Sequence, residues 1–94
     1  MPYLLVRHKV EDYAKWKRAF DEHAAARKVS GSKGGKVFRS VTNPNEIVIL
    51  LEWETLADAR KFVADASLAE VMERAGVTDV PDVYFLDEVA EVSE

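Results

Sequence analysis

Cysteine is absent from this 94-residue chain, so disulfides and thiolate metal sites are excluded at the outset. Only four glycines and three prolines interrupt it, too few for a linker or a low-complexity tract. No apolar run reaches the 18 or more residues of a membrane span. The first residues, Met-Pro-Tyr-Leu-Leu-Val-Arg-His, carry no basic stretch followed by an apolar core and a small-residue cleavage site. The expected location is therefore the cytoplasm, without a membrane partner. A net charge of −4 also argues against a nucleic-acid partner. What is present fits one domain over residues 1–94: 48% hydrophobic and 32% charged residues, an ordinary globular balance.

The charge is lopsided. Residues 1–42 hold ten Lys and Arg against four Asp and Glu, a net of +6. Residues 43–94 hold three against thirteen, a net of −10. Such a split marks either an interaction tail or two halves that neutralise each other within or between subunits.

The stretch that organises the rest is Glu46-Ile-Val-Ile-Leu-Leu-Glu-Trp-Glu54. Five consecutive apolar residues, three of them β-branched, follow the turn signal Asn43-Pro44-Asn45 and read as a strand over 46–54. A strand with one wet face alternates; an uninterrupted one is buried on both faces. A chain of this length covers one face of a sheet with its own helices. The other face calls for a second chain.

Around this strand the pattern gives a first strand over 3–10, with Leu4, Val6, His8 and Val10 on one face. A helix follows over 12–29, capped by Asp12, with Tyr13, Trp16, Phe20, His23, Ala24 and Arg27 on one stripe and a stop at Gly31. Lys33-Gly34-Gly35-Lys36 reads as a flexible entry to a second strand over 37–42, which forms a hairpin with the third. Thr55 and Asp58 resemble a capping box; Ser67 and Glu70 form another, so the second helical region breaks near residues 65–66 and stops at Gly76. A last strand over 83–92 ends in acidic residues, as an edge strand does. The order β-α-β-β-α-β predicts an α+β, ferredoxin-like four-stranded antiparallel sheet with its second helix broken. The crossover rule puts strands one and three in the middle.

Two motifs fail on inspection. Residues 31–36 fall one residue short of a phosphate-binding loop, and a strand follows instead of a helix. Residues 33–38 lack the aromatic pair of an RNA-recognition strand.

Arg7-His8-Lys9-Val10-Glu11-Asp12-Tyr13-Ala14-Lys15-Trp16-Lys17, the Glu52-Trp53 strand end and the broken second helix resemble the dimeric α+β barrel superfamily, in particular the bacterial antibiotic biosynthesis monooxygenase-like proteins. The resemblance implies a homodimer whose sheets face each other, with a pocket between each sheet and its own helices. It implies a cofactor-free monooxygenase-like or cyclase-like enzyme acting on a small aromatic or polyketide-type molecule. The alternative is a non-catalytic small-ligand-binding or stress-associated dimeric module. The haem-degrading branch uses an asparagine on strand one and a histidine on the second helix. Here strand one carries Arg7-His8 and no histidine lies between Thr55 and Gly76, so no haem ligand carries over.

The candidate catalytic residues are His8, His23 and Arg39. Each histidine is either a general base or ligand contact, or an imidazole satisfied by hydrogen bonds at the edge of the core. Arg39 is suited to stabilising a deprotonated substrate. Trp16, Phe20, Trp53, Phe62 and Tyr84 either line an aromatic pocket or fill the core. Two histidines without an acidic partner do not make a metal site, so no metal is expected, and the resemblance implies no cofactor. Glu52 follows the most apolar run; a carboxylate there needs a partner, and Arg7 or Arg39 on neighbouring strands would supply one.

Overall fold

In the computed structural model, which describes residues 1–94, strand β3 (Glu46–Trp53) alternates despite its unbroken apolar sequence. Ile47, Ile49, Leu51 and Trp53 are buried; Val48, Leu50 and Glu52 on the other side are only half-buried. The reason lies in the layering. Strands β1 (Pro2–Lys9), β2 (Ser32–Arg39), β3 and β4 (Asp82–Asp87) form one antiparallel sheet in the order β2-β3-β1-β4, with β1 and β3 at the centre. All helices lie on one face. A single chain therefore covers one side of β3.

The register fixes what each face carries. On the helix-covered face, Leu4 stands opposite Leu51, Val6 opposite Ile49 and His8 opposite Ile47. Together with Trp16, Trp53, Ala59 and Ala75, the apolar members of this face form the core. On the open face, Leu5 stands between Leu50 and Tyr84, and Val48 stands beside Phe38. Phe38, Tyr84 and Leu86 are 49%, 56% and 40% exposed, which leaves a broad apolar surface uncovered.

The helices are shorter than the sequence pattern predicts. Residues 12–29 form two helices, α1 (Tyr13–Glu22) and α2 (Ala24–Ser30), broken at His23, whose φ of −87° and ψ of 1° are not helical. Asp12 caps α1, its carboxylate accepting from the Lys15 N–H at 3.2 Å. At the break the His23 N–H donates to the Ala19 carbonyl at 3.1 Å, and the Arg27 side chain takes up that of Phe20. Beyond β3, α3 (Leu56–Ala64) is capped by Thr55 and α4 (Ala66–Ala75) by Asp65. The second cap corrects the expected Ser67: the Asp65 carboxylate accepts from the Ser67 N–H at 2.9 Å, so the helix starts earlier. Gly31 and Gly76 end α2 and α4 in the left-handed region. No helix is long and apolar enough to cross a membrane.

Two strand boundaries are also corrected. Lys33-Gly34-Gly35-Lys36 is not a flexible entry but part of β2, with a bulge between Ser32 and Gly34. Gly34 supplies a φ of +91° there, and a Cβ on Gly35 would overlap the Leu50 carbonyl. β4 stops at Asp87 instead of 92 because β1, its one neighbour, runs out at Pro2, opposite Asp87.

Glu52 pairs with neither expected arginine. It stands opposite Tyr3, and its charge is the main cause that raises the Tyr3 phenol above its ordinary pKa. Arg7, further along β1, is held by Glu46 at 3.2 Å, Asp79 at 3.6 Å and Asp82 at 2.6 Å. Arg39 is on the opposite face from Glu52, its guanidinium 4.5 Å from the centre of the Tyr13 ring.

Candidate active site

A cavity of about 90 Å³ lies between the sheet and the helices. Leu4, Val6, Ile49 and Leu51 supply its floor; Trp16 and Phe20 of α1, Phe62 of α3, and Leu68 and Met72 of α4 close it in. Of its 16 lining residues 13 are hydrophobic, and the polar three are His8, His23 and Arg27. Every polar side chain is thus a nitrogen base or cation, and no carboxylate faces the space. An apolar cavity with a few convergent polar groups is the usual form of a small-molecule site. Its volume is smaller than the roughly 150 Å³ of an engineered cavity that holds benzene. A single ring is already at the limit of this volume, and a fused polycycle exceeds it.

His8 arrives here because β1 alternates: the residue that shares a face with Leu4 and Val6 must turn toward the helices. It is 2% exposed, and its Nδ1 is buried without a hydrogen-bond partner. Leaving such an atom unpaired costs about 1–3 kcal/mol, and Trp53 Nε1 is in the same position. Burial is the main cause that lowers its pKa; Asp79 and a hydrogen bond with its own backbone pull it upward, and Arg7 adds a smaller downward push. The ring is therefore neutral at pH 7, with one N–H and one free lone pair. It meets the edge of Trp16 at 5.7 Å between ring centres.

His23 sits at the break between α1 and α2, its ring centre 5.9 Å from that of Phe62. Burial lowers its pKa first, then the charges of Arg27 and Arg74, against an opposing pull from Asp65. Arg27 is 9% exposed. Its Nη1 donates to the Phe20 carbonyl at 2.7 Å and its guanidinium lies 3.7 Å from the centre of the Phe20 ring. Burial lowers its pKa, but a guanidinium stays protonated under these conditions. Trp16 stacks on Phe20 at 4.9 Å, so His8, Trp16, Phe20 and Arg27 make one contiguous wall.

Of the eight residues expected at the site, His8, His23, Trp16, Phe20 and Phe62 line the cavity. Three do not. Trp53 is fully buried behind Phe62, at 5.0 Å, with its Nε1 unpartnered. Arg39 shares a row with His8 but is two strands away on the edge strand, over Tyr13. Tyr84 stands opposite Leu5 on the open face. Arg27 was not expected as a site residue; the available signal was a cation on the apolar stripe of its helix. No three His, Asp or Glu side chains converge in a metal-ligand group.

No protein-family model matches this chain, and no curated protein matches it in sequence. Solved structures do match its fold. A Bordetella bronchiseptica protein provisionally named an antibiotic biosynthesis monooxygenase superposes with a TM-score of 0.79 at 17% identity, covering 95% of this chain and 97% of that one. SnoaB, a cofactor-independent oxygenase from Streptomyces nogalater, superposes at 0.78 with 16% identity, covering 99% and 97%. A conserved protein from Methanosarcina mazei superposes at 0.70 with 11% identity, covering 90% and 89%. At these identities the likeness is one of fold: this chain has the ferredoxin-like α+β fold of the antibiotic biosynthesis monooxygenase-like structures.

Proposed function

We propose that this protein is a cofactor-independent oxygenase of small phenolic aromatics that works as a cytoplasmic homodimer. The observation that carries the reading is His8, neutral and buried, on the lining of an apolar cavity closed by aromatic rings. The shared fold with SnoaB supports it. So does the size of the cavity, which is far below that of a flavin or a haem.

The chemistry asks little of the protein. His8 takes the proton of a phenolic hydroxyl, the step for which a neutral imidazole is suited. The electron-rich phenolate passes one electron to dioxygen, and the resulting radical pair combines at the ring carbon para to the oxygen. The peroxide takes the proton back from His8, and loss of water leaves a para-quinone. Phenol plus dioxygen thus gives quinone plus water, with no external reductant. The apolar wall excludes bulk water from the anion.

The dimer belongs to the same reading. The open face, with Phe38, Val48, Leu50, Leu5 and Tyr84, is the surface that a second copy would cover. The specific observation that favours a binding module instead is the small cavity, hemmed in by the stacked Trp16 and Phe20.

Oxygen uptake decides between them. Monocyclic and bicyclic phenols are supplied to the protein in chelator-treated buffer, and oxygen and quinone are followed together. The oxygenase reading expects one dioxygen consumed per quinone formed, and a loss of about 10²–10⁴-fold in His8→Asn, the range for a general base. Saturable binding without uptake assigns the protein to the binding class.

A further inference from the structure

The reaction above gives Arg27 no part, although it is the one charged group on the cavity wall. The residue is 9% exposed, and no carboxylate lines the space. The acid that acts on it, Asp21, is itself held by Lys17 at 2.7 Å on the solvent side of α1. The remaining charged neighbours act on the histidines: Asp79 and Arg7 on His8, Asp65 and Arg74 on His23. A cation that is buried without a facing anion favours an anion brought beside it, the more so where water is excluded.

Resting on the oxygenase reading of the same cavity, we infer that the ligand is a single-ring phenol bound as its phenolate, with the anionic oxygen held by the Arg27 guanidinium. The volume restricts the ligand to one ring, with Met72 the flexible lining residue best able to yield. The planar fork of Arg27, already fixed against Phe20, presents its remaining donors without further ordering. Arg27 is then the group that stabilises the ionised substrate, and His8 the group that takes its proton.

Two effects of opposite sign act on a phenol entering this site, and their balance is measurable. Burial in an apolar cavity raises a phenol's pKa; a facing cation lowers it. The probe is 4-nitrophenol, whose anion absorbs in the visible, bound to the intact protein under nitrogen and titrated with pH. The inference expects the anion to bind at least tenfold more tightly than the neutral form, a fall of one pH unit or more in the midpoint. Arg27→Gln should abolish that fall and Arg27→Lys keep most of it. Should Arg27→Gln fail to fold, the wild-type protein still decides through 4-nitroanisole, which has no acidic hydroxyl and is expected to bind at least tenfold more weakly than the phenolate. An unchanged or raised midpoint, equal affinity for the ether, or no saturable binding overturns the inference. Because oxygen is excluded, the titration is independent of turnover, and a phenol that binds as its anion here but is never oxidised in air overturns the oxygenase reading alone.

Discussion

Arg27 lays its guanidinium 3.7 Å from the centre of the Phe20 ring and donates to the carbonyl oxygen of that same residue at 2.7 Å. One side chain thereby closes the break at His23, tying the first turn of α2 back to the last turn of α1. A desolvated cation–π contact contributes up to about 2 kcal/mol, and a hydrogen bond from a charged donor about 1.5–3 kcal/mol. Arg27→Ala is expected to lower unfolding free energy by about 2–4 kcal/mol, read as a lower urea midpoint at unchanged slope. A loss below about 0.5 kcal/mol would show that the hinge does not depend on it.

Acid should weaken the fold in a defined window. Both histidines have folded-state pKa values below the unfolded value near 6.5. Above that value neither state binds the proton and stability is level. As pH falls below 6.5 the unfolded chain takes up protons that the native chain refuses, so stability drops until the folded values are passed. The slope is at most about 1.4 kcal/mol per pH unit for each histidine. Asp65, held below its ordinary pKa by its bonds to Ser67, acts in the same direction but only below about pH 4. Urea midpoints from pH 8 to pH 4.5 should show the decline in the wild type, and His8→Asn/His23→Asn should flatten it. A flat wild-type profile would mean that the histidines titrate freely.

Adjacent glycines in β2 should respond differently. Gly34 has a positive φ but open space around it, so Gly34→Ala costs about 1 kcal/mol. Gly35 faces the Leu50 carbonyl, and any Cβ there forces β2 away from β3. Gly35→Ala is expected to cost at least about 2 kcal/mol. Thermal melts of the two variants test the order; equal losses would place the close approach elsewhere.

The open sheet face predicts its own disruption. Leu50→Lys adds a charge in the row Lys36, Leu50, Leu5, Tyr84 without touching the helix-side core. Sedimentation velocity should show a wild-type dimer and a folded Leu50→Lys monomer. A wild-type protein that sediments as a 10.6 kDa species would rule out the second copy.

What the sequence revealed follows from how each signal arises. Alternation in β1 is local, and it groups His8 with Leu4 and Val6 on one face; the element order, through the crossover rule, puts β1 and β3 at the centre. The helical stripe likewise brought Trp16, Phe20 and His23 to one wall. Register is not local. Arg7 and Glu52 look adjacent when two strands are drawn side by side, yet Tyr3 is the residue opposite Glu52, and four residues of strand, roughly 13 Å, separate it from Arg7. Arg39 has the right face, but β3 stands between it and His8, and two strand spacings are roughly 10 Å. Tyr84 was misplaced because Val83-Tyr84-Phe85-Leu86 has no polar residue to set its phase, and an edge strand exposed along its length gives no burial contrast. Arg27 was visible as a charge on an apolar stripe, but only the break at His23 turns it into the wall of a cavity.

In the proposed reading the ligand lies between sheet and helices, not on the open face. Nuclear Overhauser contacts from the ring protons of a bound phenol to assigned methyl groups test it most directly. Contacts to Leu4, Val6 and Met72 are expected, with the His8 ring resonances shifted on binding. Contacts to Leu5, Leu50 and Leu86 instead, with His8 unmoved, would contradict it.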